Sequence, residues 1–216
     1  MHSTQLDRIF IAVMPLIIAL TAGLNMLPSA IAILIVKENG PIEDLSALGY
    51  FLVALWLVRA GWLLRVKDGF SAGFLVALLG MRELDMHTRF TTMGIFKTRY
   101  YISDKVPGGE KLLVSIIVLI ILVVAARYLY RNFGALWQEL RRWSMSTISL
   151  AAAGWCILVS KMLDSLSGPI EPFVTIFSNE PRTVLRISEE TLELAIPVYL
   201  LLAVCYYAGR PPHRSR

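Results

Sequence analysis

Apolar runs of membrane length recur along this chain, and they constrain its fold more than any other feature. About 20 apolar residues cross a hydrocarbon core of ~30 Å at 1.5 Å per residue. Six segments reach or approach that length: Ile9 towards Val36, Leu45 to Leu64, one starting near Gly69, Leu112 to Tyr130, Ser144 to Leu163, and Thr191 to Tyr207. In lipid the backbone must satisfy its own hydrogen bonds, so such runs fold as helices. A soluble domain carries about 25% charged residues, whereas only 17% of these 216 residues are charged and 56% are hydrophobic. The sequence therefore predicts an all-α, polytopic transmembrane helix bundle of six spans, a single domain over 1–216. It argues against a disordered chain and against an ordinary soluble globule.

The first run is longer than a crossing needs and contains Pro15 and Pro28. A proline removes a helical hydrogen bond, which predicts a break near Asn25 to Pro28. Ala22-Gly23 resembles a signal-peptide cleavage site. Asp7 beside Arg8, and an apolar run that continues past the site, favour an uncleaved span. Gly40-Pro41 and Pro107 to Gly109 read as turns.

Lysine and arginine collect on the cytoplasmic side of membrane proteins. Alternate ends of the six runs, among them Arg8, Arg65, Lys67, Arg131, Arg142 and Arg210, hold 11 of the 21 cations but only three of the 16 carboxylates, Asp7, Asp68 and Glu139. Both termini are thus expected in the cytoplasm. The net charge of +5 is explained by this asymmetry, with the lipid bilayer and no nucleic acid as partner. Cys156 and Cys205 lie inside apolar runs and read as buried free thiols. Oligomeric state leaves no mark in the sequence.

The third run departs from the pattern. Only 13 residues, Gly69 to Met81, precede Arg82, a rise of about 20 Å that falls short of a crossing. The span is expected to continue through Arg82-Glu83-Leu84-Asp85-Met86-His87-Thr88-Arg89. Measured along ideal helices, Glu83 then stands about 24 Å above the inner edge, Lys161 about 27 Å, Asp164 about 32 Å, Glu193 about 26 Å and Glu190 about 30 Å. Charges at lipid depth are cheapest when they face opposite charges. A polar pocket near the outer face follows, lined by Glu83, Asp85, His87, Lys161, Asp164, Glu190 and Glu193.

Three chemistries fit that layer. Glu83 and His87 stand four apart on one helix face, and with Asp164 and Glu193 could hold a divalent metal. The plainer alternative is a salt-bridge network with Arg82, Arg89, Lys97, Arg99 and Lys161. A proton or substrate relay is the third. Ser188 before Glu189 and Glu190 resembles ordinary helix-start chemistry, so Glu193, a turn deeper, is the better functional residue. Pro197, four residues on, leaves the Glu193 carbonyl without its helical donor. A double glutamate invites comparison with intramembrane glutamate proteases, but their following basic residue and histidine motifs are missing. With His2, His87 and His213 the chain cannot supply the three-histidine zinc set of ceramidase-like hydrolases, and it has no GxSxG elbow.

Residues 82–110 read as an interfacial or re-entrant segment. Its aromatic and cationic residues suit the headgroup level, with Lys97, Arg99 and Tyr100 as lipid-phosphate contacts. The strings Met81-Arg82-Glu83-Leu84-Asp85-Met86-His87, Phe96-Lys97-Thr98-Arg99-Tyr100-Tyr101, Lys161-Met162-Leu163-Asp164 and Glu189-Glu190-Thr191-Leu192-Glu193-Leu194 resemble those of a group of bacterial integral membrane proteins with no assigned activity. That resemblance implies a bacterial inner membrane and brings no catalytic residue or cofactor. The leading expectation is a binding or regulatory membrane protein whose pocket opens to the periplasm and takes a lipid headgroup or small-molecule ligand. The alternatives are a metal-assisted hydrolase or transferase acting on a lipid headgroup, and a small proton-coupled transporter.

Overall fold

The computed structural model describes residues 3–37, 40–63, 68–95, 98–166 and 181–209. Among these residues all regular structure is helical: α1 (Ser3–Asn25), α2 (Ser29–Val36), α3 (Pro41–Leu63), α4 (Gly69–Glu83), α5 (Met86–Arg89), α6 (Thr98–Ile102), α7 (Gly108–Arg141), α8 (Met145–Leu166) and α9 (Pro181–Ala208). Five stretches are long and apolar enough to cross a membrane: Thr4–Asn25, Ser29–Leu63, Gly108–Arg141, Met145–Ser165 and Thr183–Ala208. The expected third span is not among them.

The break in the first run falls where Pro28 requires it. Leu27 N–H donates to the Leu24 carbonyl at 3.2 Å and closes the last turn. Pro28 then caps α2 in an extended conformation, and its carbonyl accepts from Ile31 and Ala32. The α7–α8 corner is set by Trp143 at φ 48°. There Ser144 Oγ donates to Glu139 Oε2 at 3.0 Å and accepts from the Thr147 N–H.

Three helices differ from the sequence expectation, and the first difference is that α7 runs on to Arg141, eleven residues past the expected Tyr130. α4 stops at Glu83, and Asp85 adopts φ 50°. Aspartate tolerates this left-handed conformation better than most residues, so the helix does not run on through Arg82 to Arg89. α9 begins at Pro181, ten residues before the expected Thr191. The fixed φ of proline suits the first helical position. Ser188 is consequently mid-helix, not a cap, and its hydroxyl bonds back to the Val184 carbonyl at 2.8 Å.

The chain forms two compact units, 1–49 with 139–216 and 50–138. In the first, α9 packs against α8, α1 and α2. Ser146, Ser149, Ala153, Cys156 and Ser160 are all buried and follow one another at steps of three and four residues. This seam of small side chains lets α9 approach closely, as membrane helices do without a hydrophobic driving force. α8 and α9 are antiparallel: Ser146 Oγ donates to the Ala203 carbonyl at 2.8 Å, and Ser160 Oγ to Glu193 Oε1 at 2.7 Å. α1 is antiparallel to α9 too. Tyr206 donates to Asp7 Oδ1 at 2.7 Å, Phe10 meets Tyr199 edge-on, and the Thr21 and Thr191 hydroxyls lie 2.7 Å apart. The start of α3 completes the unit, since a Cβ on Gly49 would lie 2.9 Å from Pro197. Cys156 is buried, as expected, whereas Cys205 is only half-buried, and both are free thiols.

The second unit rests on backbone contact between α3 and α4. A Cβ on Gly69 would stand 2.7 Å from the Gly61 Cα and 2.8 Å from the Leu57 carbonyl oxygen. Asp68, at φ 60° before α4, ties that helix to α7. It accepts from Asn132 Nδ2 at 3.1 Å and pairs with Arg131 at 3.4 Å.

Candidate functional site

The expected pocket residues fall into both units. Glu83, Asp85, His87, Arg99 and Tyr100 belong to the second, and Lys161, Asp164, Glu190 and Glu193 to the first. Each group is therefore built up by itself.

In the second unit Glu83 is buried at the end of α4, 3.5 Å from the Arg82 guanidinium. The left-handed Asp85 turns the chain before His87, so Glu83 and His87 are not successive turns of one helix. The carbonyl of Asp85 accepts from the Thr88 and Arg89 N–H groups. The His87 side chain and Lys97 lie outside the described residues. Tyr100, read from sequence as a headgroup contact, is instead completely buried. Its hydroxyl donates to Glu110 Oε1 at 3.2 Å. Burial, reinforced by that carboxylate, pushes the Tyr100 hydroxyl above the ordinary phenol value. Arg99 is exposed on α6.

In the first unit the cluster is densest around Lys161. Its Nζ lies 3.4 Å from Glu193 Oε1, 3.7 Å from Glu189 Oε1 and 3.8 Å from Asp164 Oδ2. One turn of α8 supplies Ser160, Lys161 and Asp164, and one turn of α9 supplies Glu189 and Glu193. The pairing is a direct result of the antiparallel seam. Ser160 faces inward and hydrogen-bonds Glu193, so Lys161, one residue on, reaches around the edge. Its side chain is 47% exposed, against 12% for Glu193 and 18% for Glu189, so the ammonium has an open path while the carboxylates are held. Glu190 is half-buried beside them and lies within the electrostatic reach of Glu193, Glu43, Glu189 and Arg186. Arg186 Nε in turn donates to the Val36 carbonyl at 3.0 Å, satisfying the end of α2.

Among the described residues this cluster holds five carboxylates, Glu43, Asp164, Glu189, Glu190 and Glu193, against the two cations Lys161 and Arg186. Its formal charge is negative, and its residues come from α3, α8 and α9. Such a place favours cations, because the surplus carboxylates repel one another. Among the described residues no three His, Cys, Asp or Glu side chains are arranged to hold a metal ion.

Sequence reasoning brought Lys161, Asp164, Glu190 and Glu193 to one depth, and these four share one cluster. It set Glu189 aside as a helix-start residue and passed over Ser160, Glu43 and Arg186. The small-residue stripe of α8 was the available signal for Ser160, since the stripe ends on it. No family model, no curated protein and no solved structure matches this chain.

Proposed function

We propose that this protein is a multi-pass membrane protein of the binding class, and that the carboxylate cluster around Lys161 takes the ammonium group of a small-molecule ligand or lipid headgroup. One observation carries the reading: a half-exposed lysine ammonium sits against two largely shielded carboxylates, Glu189 and Glu193, with the exposed Asp164 beside it. The side chain occupies the position an incoming ammonium would take. It can swing outward, because its own stem is flexible and its head is solvated. The surplus of negative charge favours a second cation. The cluster lies about 21 Å along α8 from the Ser146 contact, which supports a site near one membrane face rather than at the midplane.

The proposal includes a bacterial inner membrane, with both termini in the cytoplasm and the cluster on the periplasmic side. The distribution of Lys and Arg supports that orientation. The antiparallel pairing of α1 with α9 supports it too, since Asp7 near the start of α1 meets Tyr206 near the end of α9 and so lies on the same side. A fluorescent protein fused after Arg216 is expected to fluoresce, and a periplasm-active phosphatase at the same point to be inactive.

The binding test uses purified protein in neutral detergent with n-butylammonium and ethanolamine as probes. Saturable binding is expected, absent for the neutral n-butanol control and weakened about tenfold by Glu193→Gln, one charge-assisted contact being of that order. In Lys161→Ala the same probes should bind more tightly, since the tethered competitor is gone. No saturable binding to either protein would remove the reading.

A further inference from the structure

The second unit carries a basic groove that the carboxylate cluster does not use. Its foundation is Glu110, in the first turn of α7. One carboxylate oxygen accepts from the Thr92 N–H at 2.8 Å and from the Tyr100 hydroxyl at 3.2 Å. The other accepts from the Thr92 hydroxyl at 2.6 Å. Beneath this clasp Tyr100, Val106 and Val114 form a small core, with Met93, Ile95 and Val118 packed against it. The segment between α5 and α7 is therefore held against α7 by hydrogen bonds and by apolar contact together.

On the outside of that segment lies a shallow groove of about 570 Å³, lined by Arg99, Ile102, Ser103, Asp104 and Lys105. The volume is in the usual range for small-ligand sites. In the same unit Arg82 and Arg131 each rest against a carboxylate. Among the described residues no ion pair holds the Arg99 guanidinium or the Lys105 ammonium, and both side chains are exposed. Between them Ile102 is 75% exposed, and Tyr101 beside it is 40% exposed. Two uncommitted cations flanking a bare aliphatic side chain match an amphiphile with an anionic head and an apolar tail. A guanidinium is the better of the two for gripping a phosphate through paired N–H groups.

We propose that this groove binds the phosphate of a net-anionic membrane lipid, gripped by Arg99 and Lys105 and assisted by the Ser103 hydroxyl, with Ile102 in the acyl region beside it. Asp104 in the same groove sets an upper limit on affinity, because its carboxylate faces the same ligand.

The experiment titrates full-length protein in dodecyl maltoside with dioleoyl phosphatidylglycerol, dioleoyl phosphatidylcholine and inorganic phosphate, reading bound lipid by native mass spectrometry and the thermal midpoint in parallel. Phosphatidylglycerol is expected to bind saturably and to raise the midpoint, at least about tenfold better than phosphatidylcholine, whose choline cation offsets the phosphate and is repelled by Arg99 and Lys105. The Arg99→Ala/Lys105→Ala pair should abolish the preference while leaving the lipid-free midpoint unchanged, because both side chains are exposed. Asp104→Asn should strengthen phosphatidylglycerol binding, which keeps the test informative should the double variant fold poorly. Ile102→Ser should weaken the lipid and leave inorganic phosphate unaffected. Equal binding of the two lipids, or an unchanged preference in the double variant, overturns the proposal. Inorganic phosphate matching the lipid in the wild type overturns it as well.

Discussion

Removing the Lys161 ammonium tests the geometry of the first unit most directly. Three carboxylate oxygens stand 3.4, 3.7 and 3.8 Å from its nitrogen. At water-like screening each pair is worth about 1 kcal/mol, and mutual repulsion among the acids cancels part of the sum. The lysine is 47% exposed, which argues against the larger values proper to a sealed interior. Lys161→Met should therefore cost about 1–2 kcal/mol, a fall of roughly 2–8 °C in thermal midpoint for a chain of this size. Lys161→Arg should recover most of it, since charge and reach are both kept. The decisive measurement is a double-mutant cycle with Glu193→Gln in detergent, followed by tryptophan fluorescence. Shared contact predicts a coupling of about 0.5–1 kcal/mol. Additive losses, with no coupling to Glu193, Glu189 or Asp164, would mean that the ammonium does not hold these groups, and the account of the cluster would fail.

Further outcomes follow from single contacts. Gly49→Leu should destabilise the docking of α3 on Pro197 by about 1–3 kcal/mol, the usual cost of overpacking, read as a lower thermal midpoint; an unchanged midpoint would contradict the 2.9 Å approach. Tyr206→Phe removes the hydrogen bond to Asp7 and should cost about 1 kcal/mol, with no further loss when Asp7→Asn is added. Tyr100 should ionise only above the ordinary phenol value of 10.0, because burial and Glu110 both disfavour its phenolate. The native state then keeps a proton that the unfolded chain loses, so this contribution to stability is intact below pH 10 and disappears as pH rises through the folded value. An ultraviolet titration of wild type against Tyr100→Phe checks it, and a phenolate difference signal at or below pH 10 would refute it.

Much of this was legible in the residues, and the failures have definite causes. Apolar run length placed α1, α3, α8 and the start of α7 close to their observed positions, and Pro28 placed the break after Asn25; the polar end of α7 from Arg131 to Arg141 carries no apolar run and was not reached. The ruler of 1.5 Å per residue put Lys161, Asp164, Glu190 and Glu193 at one level, because within regular helices depth is proportional to residue number. The same ruler misled where the helix was not regular. The left-handed turn at Asp85 depends on a conformation that aspartate accepts without advertising it in sequence, so the Glu83 to His87 spacing lost its meaning. The start of α9 was misjudged because Ser188-Glu189-Glu190 resembles a helix beginning, while the real beginning rests on Pro181. That error hid Glu189, which faces Lys161 only because the helix is already under way. Tyr100 looked like a headgroup contact by composition, and its partner Glu110 is a pairing that periodicity cannot reveal.

The steps of three and four between Ser146, Ser149, Ala153, Cys156 and Ser160 average slightly less than one helical turn each. A straight helix drifts by roughly 20° per heptad against such a repeat. Over two heptads the drift amounts to about twice that angle, and a left-handed coil of α8 and α9 is the geometry that would absorb it. The stripe ends on Ser160, and the next residue of α8, Lys161, meets Glu193 from the edge of the contact. A bulkier side chain anywhere along the stripe would therefore do more than open a gap. It would push the two helices apart and draw Lys161 away from Glu193 without touching either.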